Sequence, residues 1–227
     1  MDFPTLRLSE TIKPNRGIVS IWGDFGVGKT TFALQTAINT VKFGNNILYI
    51  YTKPNFPSQR IGAILKDDPI ELLDNITFIK ATDFKELVSI ILNLEFIIIN
   101  NLKERERTFN LIVVDSLTEI YGLELIRDKK EKNVNLNYEL NQILGTLSYI
   151  FEKYSIEILV VNELSRKSKG DDVFEVQRGG KIMDFWISNT IKLERTEVLS
   201  ERNLIINKAH ENKEFEVKAK LTQYGFE

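Results

Sequence analysis

A chain of 227 residues is long enough to bury the core of one large domain without disulfide or metal cross-links. It contains no cysteine, which excludes disulfides and cysteine-ligated zinc, and its formal net charge of −2 excludes a strong overall attraction to polyanions. The N-terminal residues lack the pattern of a signal peptide, and no apolar run is long enough to span a bilayer, so we expect a cytoplasmic protein with no membrane partner.

Five short apolar segments predict the strands of a central β-sheet. They are residues 17–22, 46–51, 76–80, 111–115 and 157–161. Each is almost continuously apolar, as is typical of strands that are buried on both faces of a parallel sheet. Helical patterns lie between them, at residues 31–43, 83–107 and 135–154. This alternation predicts an α/β fold in which helices flank a mostly parallel central sheet.

The two ends of the chain differ from this alternating middle. Residues 1–16 are predicted to form an N-terminal arm, and residues 17–227 a single domain, because no linker-like segment interrupts the later part of the chain. After Gly180, strand-like segments recur at shorter intervals. They predict an antiparallel C-terminal extension of the same sheet.

Residues 23–30, GDFGVGKT, match the phosphate-loop pattern GxxxxGK[ST] without a mismatch. The segment follows an apolar strand and opens a helix, so a glycine-rich turn that only caps a helix is the less favoured alternative. Backbone N–H groups of such loops bind phosphates, and we therefore predict binding of ATP and Mg²⁺. Lys29 would contact the β- and γ-phosphates, and the Thr30 hydroxyl the metal. The predicted nucleotide-binding residues of the loop are Gly23, Asp24, Phe25, Gly26, Val27, Gly28, Lys29, Thr30 and Thr31.

Asp115 ends the buried strand LIVVD and is the second candidate metal ligand. A carboxylate at the end of a strand beside a phosphate loop holds the Mg²⁺ shell, often through water. An aspartate in this position can also be only a helix cap. The phosphate loop favours the metal role.

Three segments in this order resemble the RecA/RadA recombinase superfamily, and most closely its short archaeal RadA paralogues of the RadB type. They are GDFGVGKTTFALQ, LIVVDS, and ILVVNEL with the polar segment that ends in GGK. The resemblance implies a RecA-like P-loop ATPase core that binds ATP and single-stranded DNA in recombinational DNA repair. It also implies the main recombinase or other paralogues as partners. Arg60 matches the position where family members place an arginine against the adenine.

The resemblance also implies a DNA-binding loop at residues 165–181. The candidate DNA contacts are Arg166, Lys167, Lys169, Arg178 and Lys181. Phe174 offers one aromatic platform for base stacking. An ordinary solvated loop of mixed charge is the alternative on composition alone. A second loop of this kind would include residues 127–132, with the same two interpretations.

The chain departs from the family at several places. It has only a short arm where full recombinases carry an N-terminal DNA-binding domain, so we expect a monomer or small homo-oligomer rather than a filament. Lys53 matches the position of the glutamate that orients the attacking water, and Glu163 that of a glutamine which senses the γ-phosphate. Because an ammonium group cannot accept a proton, we expect weak or absent ATP hydrolysis.

Two interpretations of this exchange stay open at the level of sequence. In the first, Lys53 and Glu163 form a swapped pair, and Glu163 partly replaces the lost base. In the second, both positions have drifted independently in a protein that only needs to bind ATP. A KaiC-like signalling ATPase that acts through protein partners without DNA is the alternative function. The cations that follow Glu163 favour DNA over that alternative.

Overall fold

The computed structural model describes residues 1–12, 17–105, 107–125, 129–170, 172–208 and 213–227. The helices are α1 (Leu6–Thr11), α2 (Lys29–Val41), α3 (Ser58–Leu65), α4 (Phe84–Leu92), α5 (Leu94–Arg105), α6 (Leu117–Glu124), α7 (Lys130–Tyr154) and α8 (Lys181–Trp186), with a 3-10 helix at Ile70–Asn75. The strands are β1 (Ile18–Gly23), β2 (Ile47–Tyr51), β3 (Ile76–Lys80), β4 (Leu111–Asp115), β5 (Glu157–Lys169), β6 (Asp172–Gln177), β7 (Ile187–Arg195), β8 (Glu201–Lys208), β9 (Lys213–Thr222) and β10 (Gly225–Phe226).

The strands form one sheet in the order β10-β9-β8-β7-β1-β5-β4-β2-β3. The pairs from β3 across to β7 are parallel, whereas β7-β8, β8-β9 and β9-β10 are antiparallel. Strand β6 lies off this path and forms an antiparallel hairpin with the outer half of β5. The predicted α/β fold, with its mostly parallel sheet and antiparallel C-terminal extension, is confirmed.

Both faces of β1, β2 and β4 are buried, which explains their continuous apolar sequence. Val19 and Ile21 of β1 pack with α2 and α3 on one face, while Ile18 packs with α4 to α7 on the other. Four adjacent strands of the sheet follow the order β1-β5-β4-β2, so their carboxyl ends lie side by side. Residues that follow these four strands are therefore brought to one edge of the sheet.

Two predicted segments have a different structure. The single helix expected at residues 83–107 is divided into α4 and α5 at Asn93, whose φ of −96° and ψ of 8° depart from α-helical values and whose side-chain amide donates to the Ser89 carbonyl. The segment expected to be a loop, 165–181, is largely the β5–β6 hairpin, followed by a turn and the start of α8. Opposite charges face each other across this hairpin at Arg166 and Glu175, a cross-strand pair that favours strand pairing.

The N-terminal residues 1–12 pack onto the domain. Phe3 and Leu8 are buried in the core cluster that contains α2, and the rings of Phe3 and Phe32 lie 6.0 Å apart. The division into an arm and a domain stays a prediction. Within the part of the chain that the structure describes, no helix is long and apolar enough to cross a membrane.

Candidate nucleotide site at the carboxyl edge of the sheet

The phosphate loop joins β1 directly to α2, as predicted from its sequence context. Gly28 immediately precedes the helix with φ of +111°, a conformation that favours glycine. A Cβ atom at this position would also lie 3.0 Å from Leu221 and 3.1 Å from Phe226. The loop is therefore held between its own helix and the C-terminal strands, with the free N–H groups of α2 at its end.

Lys29 is almost fully buried, and its ammonium group has three oxygen partners. Its Nζ donates to the carbonyls of Gly23 and Asp24 and to Oε2 of Glu163, each at 3.0 Å. The Glu163 interaction is an ion pair between the phosphate loop and the end of the parallel part of β5. A bound phosphate would have to replace some of these contacts, which makes Glu163 a competitor for Lys29 in the nucleotide-free protein.

Asp115 lies at the end of β4, where it accepts two hydrogen bonds. Thr30 Oγ1 donates to Oδ1 at 3.2 Å, and the Tyr49 hydroxyl donates to Oδ2 at 2.9 Å. The pKa of the Asp115 carboxyl is raised above its ordinary value, mainly because the group is buried. The hydrogen bond from Tyr49 lowers the pKa, but by less than burial raises it. The structure thus places the Thr30 hydroxyl and the Asp115 carboxylate side by side. Such oxygen ligands suit Mg²⁺, which keeps much of its water and phosphate shell.

Lys53 pairs with Glu119 rather than with Glu163. Its ammonium group, just beyond β2, donates to Oε2 of Glu119 in the first turn of α6. Burial alone would lower the pKa of Lys53, but the hydrogen bond and charge of Glu119 outweigh it and raise the pKa above its ordinary value. The sequence analysis considered a pair of Lys53 with Glu163. The structure instead has two separate ion pairs, Lys53 with Glu119 and Lys29 with Glu163. The reason is that β4 lies between β2 and β5 in the sheet.

One cavity of about 460 Å³ is lined by Lys29, Thr30, Lys53, Glu119 and Glu163. Its walls include Phe25, Gly26, Gly28, Lys29, Thr30, Thr31, Lys53, Pro57, Arg60, Glu119, Glu163 and Leu221. The volume lies in the range of about 300–1,000 Å³ that is typical of small-ligand sites. A second cavity, of about 630 Å³, shares Pro57 and Arg60 with the first and extends along α3 to Gln223. The donor groups and the volume fit a nucleotide with its phosphates on the loop.

Three predicted loop residues contribute in different ways. Val27 is buried in the core below the loop, whereas Phe25 is largely exposed. Asp24 accepts a hydrogen bond from the backbone N–H of Phe25 at 2.8 Å. Among the described residues there is no cluster of three acidic or histidine side chains that could hold a metal.

Two arginines from the C-terminal strands contact the phosphate loop, and the sequence did not indicate them. Arg202 of β8 is buried, and its Nε donates to the Val27 carbonyl at 3.0 Å. Arg195 of β7 donates to the Phe25 carbonyl at 2.7 Å. No sequence motif marks these arginines, because they reach the loop only through the pairing of β7 with β1.

The five predicted DNA contacts are distributed over several elements. Arg166 and Lys167 are exposed on the β5–β6 hairpin, and the side chain of Lys169 lies outside the described residues. Arg166 lies 3.3 Å from Glu175 and 3.7 Å from Asp24 of the phosphate loop. Arg178 follows β6, and Lys181 begins α8.

Arg178 and the second predicted loop lie outside the β5–β6 hairpin. A Cβ atom added at Gly122 would collide with the Arg178 guanidinium, which therefore packs over α6. Phe174 is partly exposed opposite Lys167 on the hairpin. Of the second loop, residues 127 and 128 lie outside the described residues, and residues 130–132 form the first turn of α7.

Comparison with known proteins gives one consistent result. The family model described as Rad51 matches residues 8–227. The protein named DNA repair and recombination protein RadB of Methanocaldococcus jannaschii is 30% identical over 213 residues, which cover 93% of each chain. The protein of the same name from Methanococcus maripaludis strain C5 is 28% identical over 211 residues, 92% of this chain and 90% of its own. That from Thermococcus onnurineus is 29% identical over 157 residues, 68% of this chain and 63% of its own.

Proposed function

This chain belongs to the Rad51 family, and on that premise we propose that it is a cytoplasmic, ATP-binding RadB-like accessory protein of recombinational DNA repair. The names of its relatives support the assignment to repair and recombination. In this proposal the protein binds single-stranded DNA and hydrolyses ATP slowly or not at all. It works beside the main recombinase or other paralogues, as a monomer or small homo-oligomer.

The observation that carries the ATP-binding part is that Lys29 and Thr30 line one cavity, with Asp115 hydrogen-bonded to Thr30 behind its wall. Lys29 would exchange its carbonyl and carboxylate partners for phosphate oxygens. Thr30 and Asp115 would hold Mg²⁺, which neutralises phosphate charge when bound. Arg60 lies where the two cavities meet, which supports a position for it beside the adenine.

Slow hydrolysis is supported by the charges that surround the phosphate position. The cavity contains two ammonium groups, Lys29 and Lys53, and each is paired with a glutamate. Binding that stabilises the substrate and the transition state equally does not speed the chemical step. We therefore propose a turnover well below the usual range of about 1–10³ per second.

The DNA-binding part is supported by the exposed cations of the hairpin. Arg166 and Lys167 are exposed on a strand that leads directly from the nucleotide cavity at Glu163. Phe174 lies opposite Lys167 in the hairpin and can offer its ring to one base. Only a few phosphates would be neutralised by each subunit, so the affinity should be modest and sensitive to salt.

Calorimetry with ATP and Mg²⁺ on the wild type and on Lys29→Ala tests the ATP site. Binding should be lost in Lys29→Ala and kept in Lys42→Ala, a matched control at the exposed end of the same helix. Equal affinity of Lys29→Ala and wild type would contradict the site. ATP turnover measured with and without single-stranded DNA tests the proposed slow hydrolysis and the proposed DNA binding. A protein that binds ATP but no DNA would favour the signalling alternative.

A further inference from the structure

Two carboxylates line the cavity, and the buried Asp115 lies beside Thr30 of its wall. They are Glu119 at the start of α6 and Glu163 on β5. Hydrolysis needs an acceptor for a proton of the attacking water, and a carboxylate is a suitable group. Which carboxylate can act depends on what each one already contacts.

Glu163 is committed to the phosphate-binding lysine. Its Oε2 lies 3.0 Å from Nζ of Lys29, the group that must contact the phosphates. A carboxylate in that position is a like charge beside the phosphates and competes with them for the ammonium group. Glu163 therefore opposes nucleotide binding more directly than it can assist a water molecule.

Glu119 is held by a cation that the phosphate loop does not supply. Lys53 contacts Oε2 of Glu119, and a carboxylate has a second oxygen that can accept a proton or hydrogen bond. The raised pKa of Lys53 keeps this residue an ammonium ion at neutral pH, so it cannot be the base itself. It can, however, orient the carboxylate that it contacts.

Rigid elements position both members of this pair. The Ser116 side chain caps α6 by accepting from the Glu119 N–H at 3.1 Å. Thr52, next to Lys53, exchanges hydrogen bonds with the Ser116 backbone at 3.0 and 3.1 Å. Glu119 and Lys53 are therefore fixed to the ends of the adjacent strands β4 and β2, next to Asp115.

We propose that Glu119 is the catalytic carboxylate of the residual ATP hydrolysis, and that Lys53 is its positioning residue. The water oxygen forms a bond to the terminal phosphorus, and one water proton passes to Glu119. The bond from that phosphorus to the bridging oxygen breaks, which gives ADP and inorganic phosphate, and Glu119 then returns its proton to solvent. This inference rests on the proposed ATP site.

The test is single-turnover hydrolysis of labelled ATP with Mg²⁺ and excess protein, together with calorimetry for ATP affinity. Glu119→Gln should lower the single-turnover rate by at least about 100-fold, the lower limit for a general base. Its ATP affinity should stay within about threefold of wild type, because the proton is transferred only in the transition state. Glu124→Gln is the matched control, since it removes a carboxylate at the opposite end of α6. It should leave both quantities unchanged.

Two further variants keep the proposal falsifiable. Glu119→Asp retains a carboxylate and should keep part of the rate that Glu119→Gln loses, which a purely structural role would not predict. Glu163→Gln should increase ATP affinity by relieving competition for Lys29. A single-turnover rate in Glu119→Gln equal to that of wild type would overturn the proposal. Loss of hydrolysis in Glu163→Gln, with the rate of Glu119→Gln unchanged, would also overturn it.

The failure of this inference is distinguishable from failure of the proposed function. A wild-type protein that binds ATP but shows no single-turnover hydrolysis would overturn the role of Glu119 and leave the ATP site intact. A wild-type protein that does not bind ATP would overturn the ATP site itself.

Discussion

The nucleotide cavity and the β5–β6 hairpin both carry several charges, but they hold them in opposite ways. At the nucleotide site, Lys29 of the cavity wall and Asp115 behind it are 7% and 1% exposed, and each has at least two fixed partners. On the hairpin, the side chain of Arg166 is 57% exposed, and its two acidic partners lie 3.3 and 3.7 Å away. Strand β5 belongs to both regions, since Glu163 lies in the cavity and Arg166 lies three residues further along.

This difference determines how much one substitution should matter. A buried charge has been removed from water, and loss of a partner leaves an uncompensated polar group. An exposed pair keeps its water and is screened by salt, so its contribution is about 0–1 kcal/mol. We therefore expect large, localised effects in the cavity and small, salt-dependent effects on the hairpin.

The largest effect that would sharpen the comparison is expected for Asp115→Asn. The amide keeps the shape of the side chain but removes the charge that would hold Mg²⁺, and we expect a loss of about 10–100-fold in Mg²⁺-dependent ATP affinity, by analogy with metal sites. Calorimetry of ATP binding over a series of Mg²⁺ concentrations checks this. An affinity equal to that of wild type at every Mg²⁺ concentration would exclude Asp115 from the metal site.

The same variant should have the opposite effect on stability in the absence of nucleotide and metal. Since burial raises the pKa of Asp115, its contribution to stability is fully present below the unfolded pKa and is lost as pH rises through the folded pKa. The amide of Asp115→Asn does not ionise, so the variant does not lose this stability and should be more stable than wild type at neutral pH. A gain of about 1 kcal/mol would raise Tm by roughly 2–4 °C in a domain of this size. Thermal unfolding with a chelator, compared between acidic and neutral pH, measures the difference between the variant and wild type.

Arg202→Ala should destabilise the protein more than the matched change Arg195→Ala. Arg202 is buried and donates to three carbonyls, those of Val27, Leu199 and Glu201. Only the contact with the Val27 carbonyl is fully buried, and the other two are partly buried. Leaving one buried acceptor unsatisfied costs about 1–3 kcal/mol, and the partly buried acceptors add less, so we expect a total loss of about 2–3 kcal/mol. The loss for the half-exposed Arg195 should be below about 1 kcal/mol. Urea unfolding curves give both values, and equal losses would contradict the comparison between buried and exposed contacts.

Replacement of Arg166, Lys167 and Lys169 by alanine should weaken binding to single-stranded DNA. Each lost phosphate contact should reduce the log–log salt slope by about 0.7. Fluorescence anisotropy of a labelled oligonucleotide at several salt concentrations measures the affinity and the slope together. The double variant Lys218→Ala, Lys220→Ala on β9 removes cations from another part of the sheet and serves as the control. Equal losses in both variants would move the DNA site away from the hairpin.

The smallest expected effect is that of Asp24→Asn. Asp24 lies 3.7 Å from Arg166 and 3.8 Å from Arg195, and all three side chains are about half exposed. Without this carboxylate, Arg166 would be freer to bind phosphate, so DNA affinity should rise by at most about 1 kcal/mol, or roughly fivefold. The gain should disappear in high salt. A gain in DNA affinity that is independent of salt would show that it does not come from loss of a solvent-exposed ion pair between Asp24 and Arg166.

Much of the fold could be predicted from the sequence because its signals are local. The apolar strands at residues 18–23 and 111–115 are buried on both faces, as their composition indicated. The β5–β6 hairpin was missed because the outer part of β5, SRKSK, is polar and the apolar residues of β6 do not alternate with polar ones as those of a half-buried strand do. The helix break at Asn93 was missed because apolar residues continue on both sides of it, at Leu92 and Leu94.

The sequence by itself determined the phosphate loop, because residues 23–30 are contiguous and their function depends on local backbone geometry. Only the tertiary structure decided which charges pair around it. Glu163 pairs with Lys29 because β5 lies beside β1, where Gly23 and Glu163 are opposite each other. Lys53 pairs with Glu119 because β2 lies beside β4, whose following helix carries Glu119. Neighbouring strands are about 4.8 Å apart, so a long side chain reaches the adjacent strand end, and the order of strands selects its partner.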